Sequence, residues 1–374
     1  MENNTRYQYK LLPGENTIRI LTLQPGKKDD PLVGNLEFMS LDDSDLSYEA
    51  ISYVWGDPTR CARITCDKET LRLTQSLDDV LRRVRLESTP RRLWVDQVCI
   101  NQDDMLERSE QVKLMGRIFL RADHILAWLG RDEEHIAELA FDKVKELYGI
   151  YKDKAQFHPF TQAQRERLDE FHDSEWRPLR ELYRRKWFRR AWIAQEIGTA
   201  TPATILWGDS SIEWRRLAQV SGNLTNYHQS LRRRFDIYST RAAILYRAYV
   251  DGAPEGAPSY WKYFSIYLHS MRGRYATDPR DHVFSRLGHF SARVEPTNSL
   301  VIEPDYSKTI TQVFYDVAVN TLVGADSLLT LNAVQHISLD GKDNGARQRI
   351  QLMIRYRRSK AVSFVGASLG QEDT

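Results

Sequence analysis

Cysteine is scarce in this chain of 374 residues: there are three, Cys61, Cys66 and Cys99. A C-x4-C pair with one distant companion lacks the spacing of a zinc site, and an odd count argues against a disulfide scaffold. Reduced thiols and a cytoplasmic location are the expectation. No run approaches the roughly 18 apolar residues that cross a bilayer. The opening "MENNTRYQYK" also lacks the apolar stretch of a signal peptide. Charge of one sign is missing too: 53 basic and 51 acidic side chains leave a net charge of +2, which gives no electrostatic case for nucleic acid. There is no HExxH, no GxSxG and no glycine-rich phosphate loop, and His124, His135 and His172 stand apart from one another. No metal site and no serine nucleophile are therefore expected. A nucleophilic Cys99 is conceivable, but its place among apolar residues favours packing.

Aromatic residues are plentiful, with nine tryptophans and eighteen tyrosines. "NTIRILTL" and "LEFMSL" read as short strands separated by "QPGKKDDP". "YEAISYVWGD" (48–57) is an apolar strand with an aromatic, Gly and Asp exit, and "ARITCDKETLRLT" is a hairpin turning at Asp67 and Lys68. Ser76 and Asp79 have capping-box spacing ahead of the helical stripe Leu77, Val80, Leu81 and Val84. "RRLWVDQVCI" (91–100) reads as the next strand, followed by a helix carrying Val112, Met115, Phe119 and Ala122. "HILAWLG" (124–130) is a third buried strand, and a polar helical region from about 132 to 185, broken near "QFHPFTQ", leads to "WFRRAWIAQEI" and the strand "ATILWGD" (203–209).

This alternation predicts an α/β protein with a mostly parallel sheet and helices on both faces, followed by a mainly helical second region. The expected organisation is a β-rich lead-in over 1–47, an α/β domain over 48–215, a helical region over 216–340 and a loosely ordered tail over 341–374. Ligands bind at the carboxyl ends of strands in such sheets, and the exits "YVWGD", "NQDD" and "WLG" lie there.

"YEAISYVWGD", "RLWVDQVCINQDD", "ERSEQVKLMGRIFLRADHILAWLG" and "WFRRAWIAQE" resemble, in order and spacing, the fungal heterokaryon incompatibility (HET) domain over roughly residues 48 to 200. The later "TDPRDHVFSRLG" and "PDYSKTITQVFYDVA" are similar to the segment that commonly follows it. The resemblance implies a part in non-self recognition and programmed cell death in filamentous fungi. It also implies a remote relation to Toll/interleukin receptor (TIR) domains, which have a flavodoxin-like fold. Many TIR domains hydrolyse NAD+ with a helix glutamate four residues after a tryptophan, a pattern that Trp192 and Glu196 match. NAD+ or a related nucleotide would then be substrate rather than cofactor. Self-association and an upstream non-self-recognition protein are the partners so implied.

Glu196 is the leading catalytic candidate: cleavage of the nicotinamide–ribose bond passes through an oxocarbenium-like centre that a carboxylate stabilises. Trp192, one turn away in a helix, would face nicotinamide or desolvate the acid. The structural alternative is that Glu196 pairs with Arg189, Arg190 or another arginine. Glu107 is the second carboxylate candidate, on one stripe with Gln111, although surface pairing explains such a stripe equally well. Ser52, Tyr53, Trp55, Gly56 and Asp57 are candidate ligand contacts, with Gly56 permitting close backbone approach and Asp57 accepting from ribose hydroxyls. An ordinary strand end with a Gly-Asp turn is the alternative. Asp96 and Asn101 form a candidate polar pocket floor, or Asp96 caps a neighbouring backbone. Asp278, Arg280 and Asp281 read as a clasp between the two halves. A non-enzymatic interaction module, or a nucleotide sensor without turnover, competes with the hydrolase. A buried Glu196 held by arginine favours the interaction module, whereas an open cleft joining Glu196, Trp192 and residues 52–57 favours the enzyme.

Overall fold

The computed structural model describes residues 5–152, 172–198, 201–249, 264–271, 273–294, 297 and 299–324. Nine strands form one sheet: β1 (Thr17–Leu23), β2 (Val33–Ser40), β3 (Glu49–Tyr53), β4 (Ala62–Cys66), β5 (Glu69–Leu73), β6 (Arg91–Trp94), β7 (His124–Trp128), β8 (Ala203–Trp207) and β9 (Ser210–Glu213). Their spatial order is β5-β4-β2-β1-β6-β3-β7-β8-β9. The four central strands, β6, β3, β7 and β8, are mutually parallel. Antiparallel pairs extend the sheet on both sides, through β1 against β6 and β9 against β8. The sheet is thus mixed around a parallel centre, and the lead-in strands β1 and β2 are part of it.

Successive strand residues point to opposite faces, yet Ala50, Ile51, Ser52 and Tyr53 are all buried. Both faces of the centre are therefore covered, as parallel strands require. The intervening helices are α1 (Gln75–Val84), α2 (Asp96–Cys99), α3 (Met105–Arg121), α4 (Ala137–Lys152), α5 (Asp173–Arg184) and α6 (Ile193–Glu196), with a 3-10 turn at Lys186–Arg189. Helices dominate the second half: α7 (Trp214–Tyr227), α8 (Gln229–Arg234), α9 (Thr240–Tyr249), α10 (Phe264–Ser270), α11 (Asp281–Phe284) and α12 (Ile310–Gly324). A two-stranded ribbon, β10 (Arg293–Val294) with β11 (Ser299–Leu300), lies among them.

Three local expectations are corrected. The residues 91–100 are not one strand: β6 stops at Trp94, and Asp96 opens the single turn α2. Helix α1 is capped by Thr74, whose hydroxyl accepts from the Leu77 amide at 3.3 Å, whereas Ser76 donates to the Val54 carbonyl at 2.5 Å and ties α1 to the exit of β3. The stretch around Glu196 is not a long helix but a 3-10 turn, an extended Arg190 and the four-residue α6. The expected break near residues 156–162 and the tail over 341–374 lie outside the described residues. Among the described residues, no helix is long and apolar enough to cross a membrane.

Candidate functional site

Three chain segments meet at the carboxyl ends of the central strands. From β3 come Ser52 and Tyr53, and then Trp55 and Gly56, where a φ of +71° turns the chain in a way glycine adopts freely. From α2, just after β6, comes Asp96. The third segment runs from Trp187 to Glu196.

Glu196 is 2% exposed, and a carboxylate so deep needs partners. The Arg190 guanidinium grips it as a fork, Nη1 to Oε2 at 2.7 Å and Nη2 to Oε1 at 2.9 Å. Ser52 Oγ donates to Oε2 at 2.5 Å and itself accepts from Trp187 Nε1 at 2.8 Å. These bonds tie the end of β3 to the 187–196 segment. The second half fixes the same segment from outside. Ala191 donates its amide to the Tyr275 carbonyl at 2.8 Å, and the Tyr275 amide donates to the Arg189 carbonyl at 2.6 Å. Gln195 Nε2 donates to the Phe284 carbonyl at 2.7 Å. Arg190 is thus held by backbone pairing on both sides.

Asp96 lies near enough to Arg190 for their charges to interact. Its Oδ2 accepts from Trp55 Nε1 at 2.8 Å and its Oδ1 from the Gln97 amide at 2.7 Å. Burial raises its carboxyl to about 6; Arg190 and the Trp55 bond pull it down, and Glu196 pushes it up. Burial, followed by the nearby Asp96, raises the Tyr53 phenol well above its ordinary range. Burial disfavours the Arg190 charge, but Glu196 together with Asp96 and Tyr53 outweighs that and raises its pKa. Asp96 and Arg190 are densely surrounded, yet each keeps some contact with solvent, with 16% of the Arg190 side chain exposed.

The remaining candidates lie elsewhere. The Trp192 indole donates to Asp281 Oδ2 at 3.1 Å, and the Trp192 carbonyl accepts from the Glu196 amide at 3.3 Å, the i,i+4 bond of a helical turn. Glu107 forms a fork with Arg19 of β1, at 2.5 and 2.9 Å, and accepts from the Asn101 amide at 2.7 Å. Gln111 donates to the Thr17 carbonyl at 2.9 Å, so this stripe fastens α3 to β1. Asn101 belongs to that fastening, its Oδ1 accepting from the Asp103 amide at 3.3 Å. Asp57 is exposed, and hydrogen bonds from Thr59, first from its side chain and then from its amide at 2.8 Å, lower its carboxyl pKa. Cys99 is buried, and burial lifts its thiol to about 12, which removes it as a nucleophile near neutral pH. Sequence reasoning overlooked Trp187; its signal is a tryptophan just before the basic pair Arg189 and Arg190, too far from Glu196 for helical spacing to connect them. Among the described residues, no group of three or more His, Cys, Asp or Glu is placed to hold a metal ion.

The chain matches the family described as "Heterokaryon incompatibility protein (HET)" over residues 48–196. It is 34% identical over 188 residues to "Heterokaryon incompatibility protein 6, OR allele" of Neurospora crassa; the match covers 40% of this chain and 27% of that relative. No solved structure matches. The region matched to the family holds Ser52, Tyr53, Trp55, Asp96, Trp187, Arg190 and Glu196 together. Residues 48–196 of this chain are thus similar to the HET family.

Proposed function

We propose that this chain acts in heterokaryon incompatibility as a cell-death signalling protein, and that its HET domain binds NAD+ or a related nucleotide at the carboxyl ends of the central strands. The observation that carries this reading is the sheet order. Numbered along the chain, the four parallel strands β3, β6, β7 and β8 lie in the spatial order 2-1-3-4, the order of flavodoxin-like sheets, whose ligand site is the switch point at the first strand. TIR domains share that arrangement. Here the first strand ends in Ser52 and Tyr53, beside Arg190, Glu196 and Asp96. The segment bearing Glu196 follows the third parallel strand, as a TIR-like plan requires.

In the arrangement described, Glu196 is a structural carboxylate. Both oxygens are engaged and almost no surface is exposed, so binding without turnover is the reading closest to the geometry. Hydrolysis is the second reading, favoured by the meeting of Ser52 and Glu196 at the switch point. Water would add to the ribose carbon as neutral nicotinamide departs, with Glu196 stabilising the oxocarbenium-like centre and the water's proton passing to solvent. That chemistry requires Arg190 to release Glu196, and self-association is the event proposed to move it.

The test is nicotinamide release from NAD+ by wild type and Glu196→Gln, with and without a crowding agent, after both are shown to melt alike. A ligand-induced rise in melting temperature without release supports binding alone. Release by wild type and none by a folded Glu196→Gln supports the hydrolase. Neither a melting shift nor release in any oligomeric state sinks the nucleotide reading and leaves an interaction module.

A further inference from the structure

Among the described residues, every hydrogen bond from the second half to the 187–196 segment comes from one stretch, residues 274–284. Arg274 Nη1 donates to the Phe188 carbonyl at 3.0 Å. The Tyr275 backbone takes the Arg189 carbonyl and the Ala191 amide, at 2.6 and 2.8 Å, as an isolated parallel bridge opposite Arg190. Asp281 accepts from Trp192, and the Phe284 carbonyl accepts from Gln195. The bonds fall on residues 188, 189, 191, 192 and 195. Arg190 and Glu196 themselves receive none, so this stretch sets the backbone on which the pair closes without bonding either charged side chain.

The segment cannot hold that backbone alone, because a 3-10 turn and the four-residue α6 are too short to be stable as isolated helix. The stretch that holds it is fixed at both ends. Arg274 is 5% exposed and also donates to the Arg241 carbonyl at 2.9 Å. Val283 and Phe284 are fully buried. Between these anchors Tyr275, Thr277 and Pro279 are exposed, Tyr275 by 68%. Backbone bonds at such exposed positions open at the lowest cost. The part of the stretch that crosses Arg190 is therefore the part that lifts most readily.

We infer that residues 274–284 form a strap that keeps Arg190 closed on Glu196, and that lifting of its Tyr275 bridge frees the carboxylate. The inference rests on reading the Arg190–Glu196 pair as the site, and it supplies the moving part that hydrolysis there requires. With the bridge open, the Arg190 backbone loses its pairing on both sides, and Glu196 keeps Ser52 as its remaining side-chain donor.

Tyr275→Pro tests this on the full chain, because proline removes the amide that bonds Arg189. Tyr275→Ala is the control, since it keeps that amide and deletes the exposed ring. Coupling of glycine ethyl ester by a water-soluble carbodiimide, located by mass spectrometry, reports which carboxyls are accessible. Asp57, exposed, and Glu107, buried against Arg19, are the reference points. The expected result is Glu196 coupled about fivefold faster in Tyr275→Pro than in wild type, the equivalent of one lost hydrogen bond. Tyr275→Ala matches wild type, and Asp57 and Glu107 are unchanged in both variants. Glu196 as protected in Tyr275→Pro as in wild type overturns the inference. Faster coupling of Glu196 and Glu107 together overturns it too, since the substitution then loosens the whole fold. Equal acceleration in both variants assigns the effect to the tyrosine ring and also overturns the strap. Selective coupling at Glu196 without nicotinamide release from NAD+ sustains the strap and counts against hydrolysis alone.

Discussion

Burial sets the Asp96 carboxyl at about 6, while Arg190 and Trp55 oppose that rise and Glu196 adds to it; the Gln97 amide and Tyr53 complete its surroundings. The same carboxyl in an unfolded chain titrates near about 4. Over roughly pH 4–6 the native state therefore binds a proton that the unfolded state has released, and stability falls as pH rises. The contribution is complete below about 4 and lost as pH passes about 6. Asp281 is shifted in the same direction, chiefly by burial. In urea titrations, Asp96→Asn should lose less stability than wild type between pH 4 and 6, by on the order of 2 kcal/mol. An equal or greater loss in the variant contradicts this assignment. Glu196 was legible in the sequence because a lone acid among tryptophan, alanine and isoleucine must be paired or used. Its partner was not, because Arg189 and Arg190 are equivalent on paper. The choice between them is made by the Tyr275 backbone, which pairs on either side of Arg190 from about 85 residues downstream.

At the scale of elements, strands and turns were the most readable features, because alternation and turn chemistry act locally. The β4–β5 hairpin turns at Asp67 and Lys68 as expected, with φ of +50° and +70°. Two positive φ values in a two-residue loop are the type I′ geometry that suits strand twist, and a lysine there carries the cost of a left-handed backbone. Lys68→Gly should therefore raise stability by about 0.5–1 kcal/mol, the relief of strain exceeding the greater freedom of glycine in the unfolded chain. A lower thermal midpoint for the variant contradicts the turn assignment. The elements misread were the short ones. After Trp94, the run Val95-Asp96-Gln97-Val98-Cys99 keeps the composition of a strand, but it winds into one helical turn. Tertiary packing overrode propensity there. The Trp192–Glu196 spacing corresponds to one helical turn, closed by the bond from the Glu196 amide to the Trp192 carbonyl.

Across the whole molecule, the parallel centre was legible from the βα alternation, but the breadth of the sheet was not. Nothing local says that β1 and β2 continue the same sheet, because the β1–β6 pairing joins residues about 70 positions apart. The second half meets the first through Asp281 and Tyr306, whereas the Asp278–Arg280 pair is internal to the second half. Asp281 accepts from both Trp192 and Tyr306, Arg280 pairs with Asp278, and the Arg108 guanidinium lies 4.1 Å from the Tyr306 ring centroid. These contacts and the Tyr275 pairing hold the Arg190–Glu196 segment against the strand ends. The account stands on the location of that site. The most direct measurement is hydrogen exchange of the full chain with and without millimolar NAD+, read peptide by peptide. Protection is expected at residues 49–57, 94–101 and 187–197, with α4 and α12 unchanged. Protection confined to other segments, or none at a concentration that shifts the melting temperature, would contradict a nucleotide site at the ends of the central strands.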